Sequence, residues 1–138
     1  MGAGSFFCVN SNGGIGNPIG RALRKGIALA KERNCEIMFF VDGLQNLDKI
    51  ISCDKDNYIW LAELRKSLQT QLKGVRISLA TKKNRPTVFS GIALIIYGSC
   101  ELQCIVHEIS GEIDTIFIPW TKNERKMWAE KFNAEMLN

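Results

Sequence analysis

The sequence predicts a single α+β domain over residues 1–138, built on one sheet that is part parallel and part antiparallel. Three observations carry this. Residues 5–41 read as strand, helix and buried strand, the outline of a parallel βαβ unit. From Val75 onward the hydrophobic period falls to two and the connections shorten, which favours antiparallel neighbours. The composition, 46% AVILMFWYC and 23% charged, is that of a folded globular chain, and 138 residues suffice to bury about two-thirds of the unfolded surface.

Ser5–Asn10 is aromatic and β-branched enough for a strand. The turn Ser11-Asn12-Gly13-Gly14-Ile15-Gly16 follows it. Asn17-Pro18 then starts a helix, an N-cap side chain followed by proline at the first helical position. Ile19, Leu23, Ile27 and Ala30 form its apolar side and Arg21, Arg24, Lys25 and Lys31 its wet side, with a stop at Asn34. Gly20 and Gly26 each weaken it by about 1 kcal/mol relative to alanine, which a close-packed neighbour would explain. Cys35–Val41 is a nearly continuous apolar run, as in a strand covered on both faces, and Asp42-Gly43 ends it.

Leu44, Leu47, Ile50 and Ile51 suggest one or two helical turns. Asp54–Asn57 is a loop; it is not a calcium loop, because Ile59 stands where glycine is required. Leu61, Leu64, Leu68 and Leu72 make one stripe of a helix over Tyr58–Lys73, with Gly74 as its C′ residue. Val75–Ala80 alternates as a strand with one wet face, and Lys82-Lys83-Asn84-Arg85-Pro86 is a turn. Thr87–Tyr97, Leu102–Ile109 and Ile113–Ile118 read as three further strands. Thr121-x-x-Glu124 is a capping box opening a last helix with Trp128, Ala129, Phe132 and Met136 on its apolar side. The predicted order is β-α-β-α-β-β-β-β-α. Docking of the last helix on a second copy would make a homo-oligomer.

The five cysteines are expected as free thiols, because their number is odd and no disulfide framework stands out. Cys8, Cys35 and Cys104 lie in or beside apolar, strand-like stretches, where cysteine acts as a small hydrophobe. Cys100-x-x-x-Cys104-x-x-His107 has ligand-type residues, yet on a strand His107 would point away from both thiols, so no metal is expected. No cofactor is expected either. The apolar runs Ile37–Val41 and Ile92–Tyr97 are far short of the ~20 residues that span a bilayer, and the start Met1–Ser5 lacks a secretory pattern. The expected setting is the cytoplasm, away from membranes.

The net charge of +4 is unevenly spread. Residues 64–100 hold Arg65, Lys66, Lys73, Arg76, Lys82, Lys83 and Arg85 without a single acid. This predicts a nucleic-acid-binding surface at Lys82, Lys83 and Arg85, backed by Arg76, that follows phosphates. No aromatic is interleaved, so base stacking is not indicated within it.

The first turn predicts a ligand site. Backbone N–H groups at a helix start, with the helix dipole behind them, favour an anion. Gly14 and Gly16 would let a phosphate approach, with Asn17, Arg21 and Arg24 around it and Asp42 placed as a ribose-binding acid. Gly13-Gly14-Ile15-Gly16 locally resembles the turn of short-chain dehydrogenases, which implies dinucleotide binding over about the first 42 residues. The spacing Gly14-x-Gly16-x-x-x-Gly20 departs from the standard fingerprint, and no Tyr-x-x-x-Lys pair exists: Tyr58 is followed four on by Ala62 and Tyr97 by Glu101. No catalytic set is visible around His107, Ser110 and Asp114, or around Cys8.

These readings predict a small binding module that recognises an anionic partner, be it a nucleotide, a nucleic acid or an acidic protein. The alternatives are a small enzyme acting on a phosphorylated or nucleotide substrate at the first turn, and an immunity or accessory-type protein that docks on another protein. Trp60, Trp120 and Trp128 would be anchors wherever exposed.

Overall fold

A computed structural model describes residues 5–9, 17–53, 56 and 58–137. Its elements are β1 (Phe6–Val9), α1 (Pro18–Arg33), β2 (Glu36–Phe40), α2 (Leu44–Cys53), α3 (Ile59–Ser67), β3 (Gln69–Leu72), β4 (Val75–Ala80), β5 (Gly91–Ile96), α4 (Cys100–Glu108), β6 (Ile113–Ile118), α5 (Lys122–Phe132) and β7 (Glu135–Leu137). The seven strands form one mixed sheet in the order β3-β4-β2-β5-β6-β1-β7. The α+β class therefore holds, with β3 against β4 as the one antiparallel pair among the described strands.

Strand alternation splits the core into two layers. Ile37, Phe39, Ile92, Leu94, Ile96, Ile116 and Ile118 face α1, α2 and α3. Phe40, Ala93, Ile95, Phe117 and Cys8 face α4 and Trp128 of α5. Connections from β1 and β2 run toward the β3 edge, and those from β5 and β6 run toward the β7 edge. Crossovers of one hand must then put their helices on opposite faces, as they do here. Gly26 is a close-approach point of α1: a Cβ there would lie 3.5 Å from Ile37 and Leu94.

Asn17 caps α1, its side chain accepting from the Gly20 N–H at 3.3 Å, and Asn34 ends the helix in the left-handed region. The Thr121/Glu124 capping box opens α5. Three expectations need correction. Residues 102–109 are not a strand: 102–108 belong to α4, capped by Ser99, and Ile109 closes it as the C-cap, with Leu102, Val106 and Ile109 buried at helical spacing. The β-branched Ile105 and Val106 favoured strand, but β5 and β6 pair in parallel and need a crossover between them.

The long helix also stops early. α3 ends at Ser67, Leu68 turns left-handed at φ 65°, and the next residues pair as β3 with β4. Lys73 and Gly74, at φ 52° and 83°, form the tight turn of that hairpin, so Gly74 serves a strand pair and is no helix stop. Finally, among the described strands those from Val75 onward are not antiparallel neighbours of one another. β4 and β5 flank β2 on either side, so the segment 81–90, which holds the Lys82–Pro86 turn, is a crossover between parallel strands and does not join antiparallel neighbours.

All five cysteines are free, though Cys104 lies exposed on α4 and not in a strand. Cys8 is fully buried, and burial, offset in part by Arg125, pushes its thiol up to about 12. A denatured sample should titrate all five thiols. In the native protein Cys53, Cys100 and Cys104 should react fast, and Cys8 only as fast as the molecule opens. Rapid native labelling of Cys8, read by mass spectrometry, would contradict its place under α5.

Candidate functional site

A cleft of about 720 Å³ opens at the carboxyl ends of β4 and β2, against α4. Gly43–Asn46 line one side, Thr81–Arg85 another, and Glu101 and Ile105 of α4 a third, with Asp42 among them. The position follows from topology. β2 and β5 are neighbours whose outgoing connections part, one toward β4 and the other toward β6. Ligand crevices in open α/β sheets form at such switch points.

Asp42 is the hinge of this site. Its Oδ1 accepts from the Ser99 hydroxyl at 2.6 Å and its Oδ2 from the Ser99 N–H at 3.0 Å. Ser99 in turn caps α4 by accepting from the Leu102 N–H at 3.2 Å. A carboxylate is favoured there, since the start of a helix carries unsatisfied donors and a partial positive charge. Lys82 Nζ lies 3.4 Å from both Asp42 and Glu101. Desolvation lowers its affinity for the proton, but hydrogen bonds and charge from Glu101 and Asp42 outweigh this and hold the ammonium above its usual value. Lys82 is thus a fixed cation with two anions. Lys83 and Arg85 add charge at the rim, and the Arg85 guanidinium donates to the Lys82 carbonyl.

The predicted site residues are regrouped. Gly14 and Gly16 lie outside the described residues. Asn17, Arg21 and Arg24 sit at the start of α1, whereas Asp42 follows β2, with β5 and β6 between β2 and β1. Asp42 instead joins Lys82, Lys83 and Arg85. Arg76 is separated from these three: it sits at the opposite end of β4, 3.9 Å from Glu36. Arg65 is likewise engaged, with Asp48 at 3.0 Å. Cys100, Cys104 and His107 fall on one helix, not a strand, but among the described residues no group of three such side chains could hold a metal ion.

Sequence reading missed Ser99 and Glu101 in this site and, outside its lining, the backbone turn at Tyr97. Gly98-Ser99 looked like a strand break, yet Ser99 with Glu101 two residues on is also a helix start. Tyr97 has φ 48°, a costly conformation for a bulky residue. Alternation would send it to the α4 side with Ala93 and Ile95; the left-handed turn sends it to the α1 side. There its ring meets Trp120 edge to face, with centroids 4.8 Å apart. Burial first, and then Tyr58 and Cys53, push its hydroxyl up to about 12. Of the three tryptophans, Trp128 is buried, Trp60 is half-buried against Phe39, and Trp120 is 51% exposed.

Comparison with protein-family profiles, curated proteins and solved structures finds no match to this chain in any of the three. No helix among the described residues is long and apolar enough to cross a membrane.

Proposed function

We propose that this protein binds a small phosphorylated ligand in the cleft at the β2–β5 switch point. The observation that carries the proposal is the meeting of Lys82, Lys83 and Arg85 with Asp42 in one cleft at the strand ends. Phosphate oxygens take charge-assisted hydrogen bonds from Lys83 and Arg85, and the neighbouring amides of Asn46 and Asn84 offer donors and acceptors for ligand hydroxyls. Lys82 is locked between two carboxylates, so it shapes the site more than it neutralises the ligand. A long nucleic acid fits less well, because Arg76 and Arg65 lie elsewhere with acidic partners and leave no continuous track.

Isothermal titration with ribose 5-phosphate and with AMP tests this. The K83A/R85A double variant should bind at least tenfold more weakly, since hydrogen bonds to charged groups contribute about 1.5–3 kcal/mol each. Both residues are exposed, so the fold should be unaffected. Absence of heat with either compound at millimolar concentration would overturn the proposal. So would a double variant that binds as tightly as the unmodified protein.

A further inference from the structure

We propose that this protein dimerises by pairing its edge strand β3 antiparallel with β3 of a second copy, across a two-fold axis at Thr70. Residues 68–72 read Leu-Gln-Thr-Gln-Leu, the same sequence in both directions. A two-fold axis runs an edge strand antiparallel to its copy, so a palindrome sets every residue against its own kind. β3 (Gln69–Leu72) lies at one end of the sheet, and among the described strands only β4 pairs with it.

The hydrogen-bond pattern selects the register. The Leu79 N–H donates to the Leu68 carbonyl at 3.0 Å, and further along Thr70 stands opposite Ile77 and Leu72 opposite Val75. Bonded and non-bonded pairs alternate along an antiparallel ladder, so Thr70 bonds to β4 while the backbone groups of Gln69 and Gln71 point outward. Only an axis through Thr70 pairs these two with each other. Gln69 of each copy then exchanges bonds with Gln71 of the other, and the two threonines form the close, non-bonded pair between them. The side chains match as well. Gln69 and Gln71, both exposed, meet amide to amide on one face. The same axis brings the half-exposed Leu68 of one copy opposite Leu72 of the other.

The strand does nothing to prevent this. Natural edges are guarded by charge, proline or a bulge. The opposite edge, β7, carries Glu135, whereas β3 has neither a charge nor a proline. Pairing occupies β3 in both copies and leaves two unlike edges, so the assembly closes at the dimer. One short strand makes a small interface, which belongs to the weak, concentration-dependent class.

Sedimentation velocity of the full chain, in reductant and from about 1 μM to about 1 mM, should show monomer passing into dimer. Amide exchange at Gln69 and Gln71 should slow as the dimer fills, while Thr70 stays protected throughout. Q69K/Q71K sets like charges against each other at both bonded pairs and should weaken association about tenfold or more. Q69E/Q71E should do the same alone, and an equimolar mixture of the two variants should form a heterodimer. Both positions are exposed, so thermal melting at low concentration should be unchanged, which excludes misfolding. A monomer over the whole range overturns the proposal. So does a dimer that survives in Q69K/Q71K, a mixture that stays monomeric, or a dimer in which the Gln69 and Gln71 amides exchange as fast as in the monomer.

Discussion

Leu64→Ala should cost about 2–5 kcal/mol in a denaturant titration, the range for a buried leucine whose cavity closes incompletely. Leu64 has no exposed surface and packs with Leu61 and Leu47 beneath the α1–α3 layer. Leu68→Ala should cost less than about 1 kcal/mol, although both leucines occupy one stripe in the sequence. Leu68 is 49% exposed, and its backbone makes its main contribution: the N–H closes α3 on the Leu64 carbonyl and the carbonyl accepts from Leu79. An alanine keeps both bonds. Equal losses for the two variants would mean that the helix continues through Leu68 and that β3 does not form.

That contrast also marks how much of the fold was legible. The βαβ opening, the Asn17-Pro18 start and the Thr121 capping box depend on local signals, namely a cap side chain, a proline and a period, and all three stand in the structure. Leu68 and Leu72 continued a helical period, but a left-handed residue and a two-residue turn gave β4 an edge partner instead. Sheet pairing is a non-local gain that no window of sequence contains. The same holds for α4, where two β-branched residues outweighed the spacing of Leu102, Val106 and Ile109 until parallel pairing required a crossover.

The candidate site divides along the same line. Asp42 and the cations of the 82–85 turn were visible singly, as an acid after a strand and as a charge run. Their convergence was not, because it depends on β4, β2 and β5 lying side by side. Ser99, and the turn at Tyr97 outside the lining, were hidden for a different reason. Each acts through backbone geometry, a cap in one case and a left-handed turn in the other, and neither residue type announces that by itself.

Gly98→Ala should damage stability and ligand binding together. A Cβ at Gly98 would lie 2.5 Å from Cγ2 of Ile95 and 3.0 Å from Cδ2 of Leu102. The Ile95 methyl sits on a stiff, branched side chain inside the sheet, so the strain must fall on α4, which Leu102 anchors to the same layer. Overpacking of this kind costs about 1–3 kcal/mol. Moving the start of α4 also moves Ser99 away from Asp42 and Glu101 away from Lys82, contacts of 2.6 Å and 3.4 Å that shape the cleft. Affinity for ribose 5-phosphate should therefore fall several-fold at a temperature where the variant is still fully folded. Ser99→Ala separates the two effects: it removes the cap and the hydroxyl bond to Asp42, costs about 1 kcal/mol, and leaves the helix in place. Its binding should drop less than that of Gly98→Ala. A Gly98→Ala protein with unchanged stability would show that α4 yields freely at its start; one that is destabilised but binds normally would detach α4 from the site.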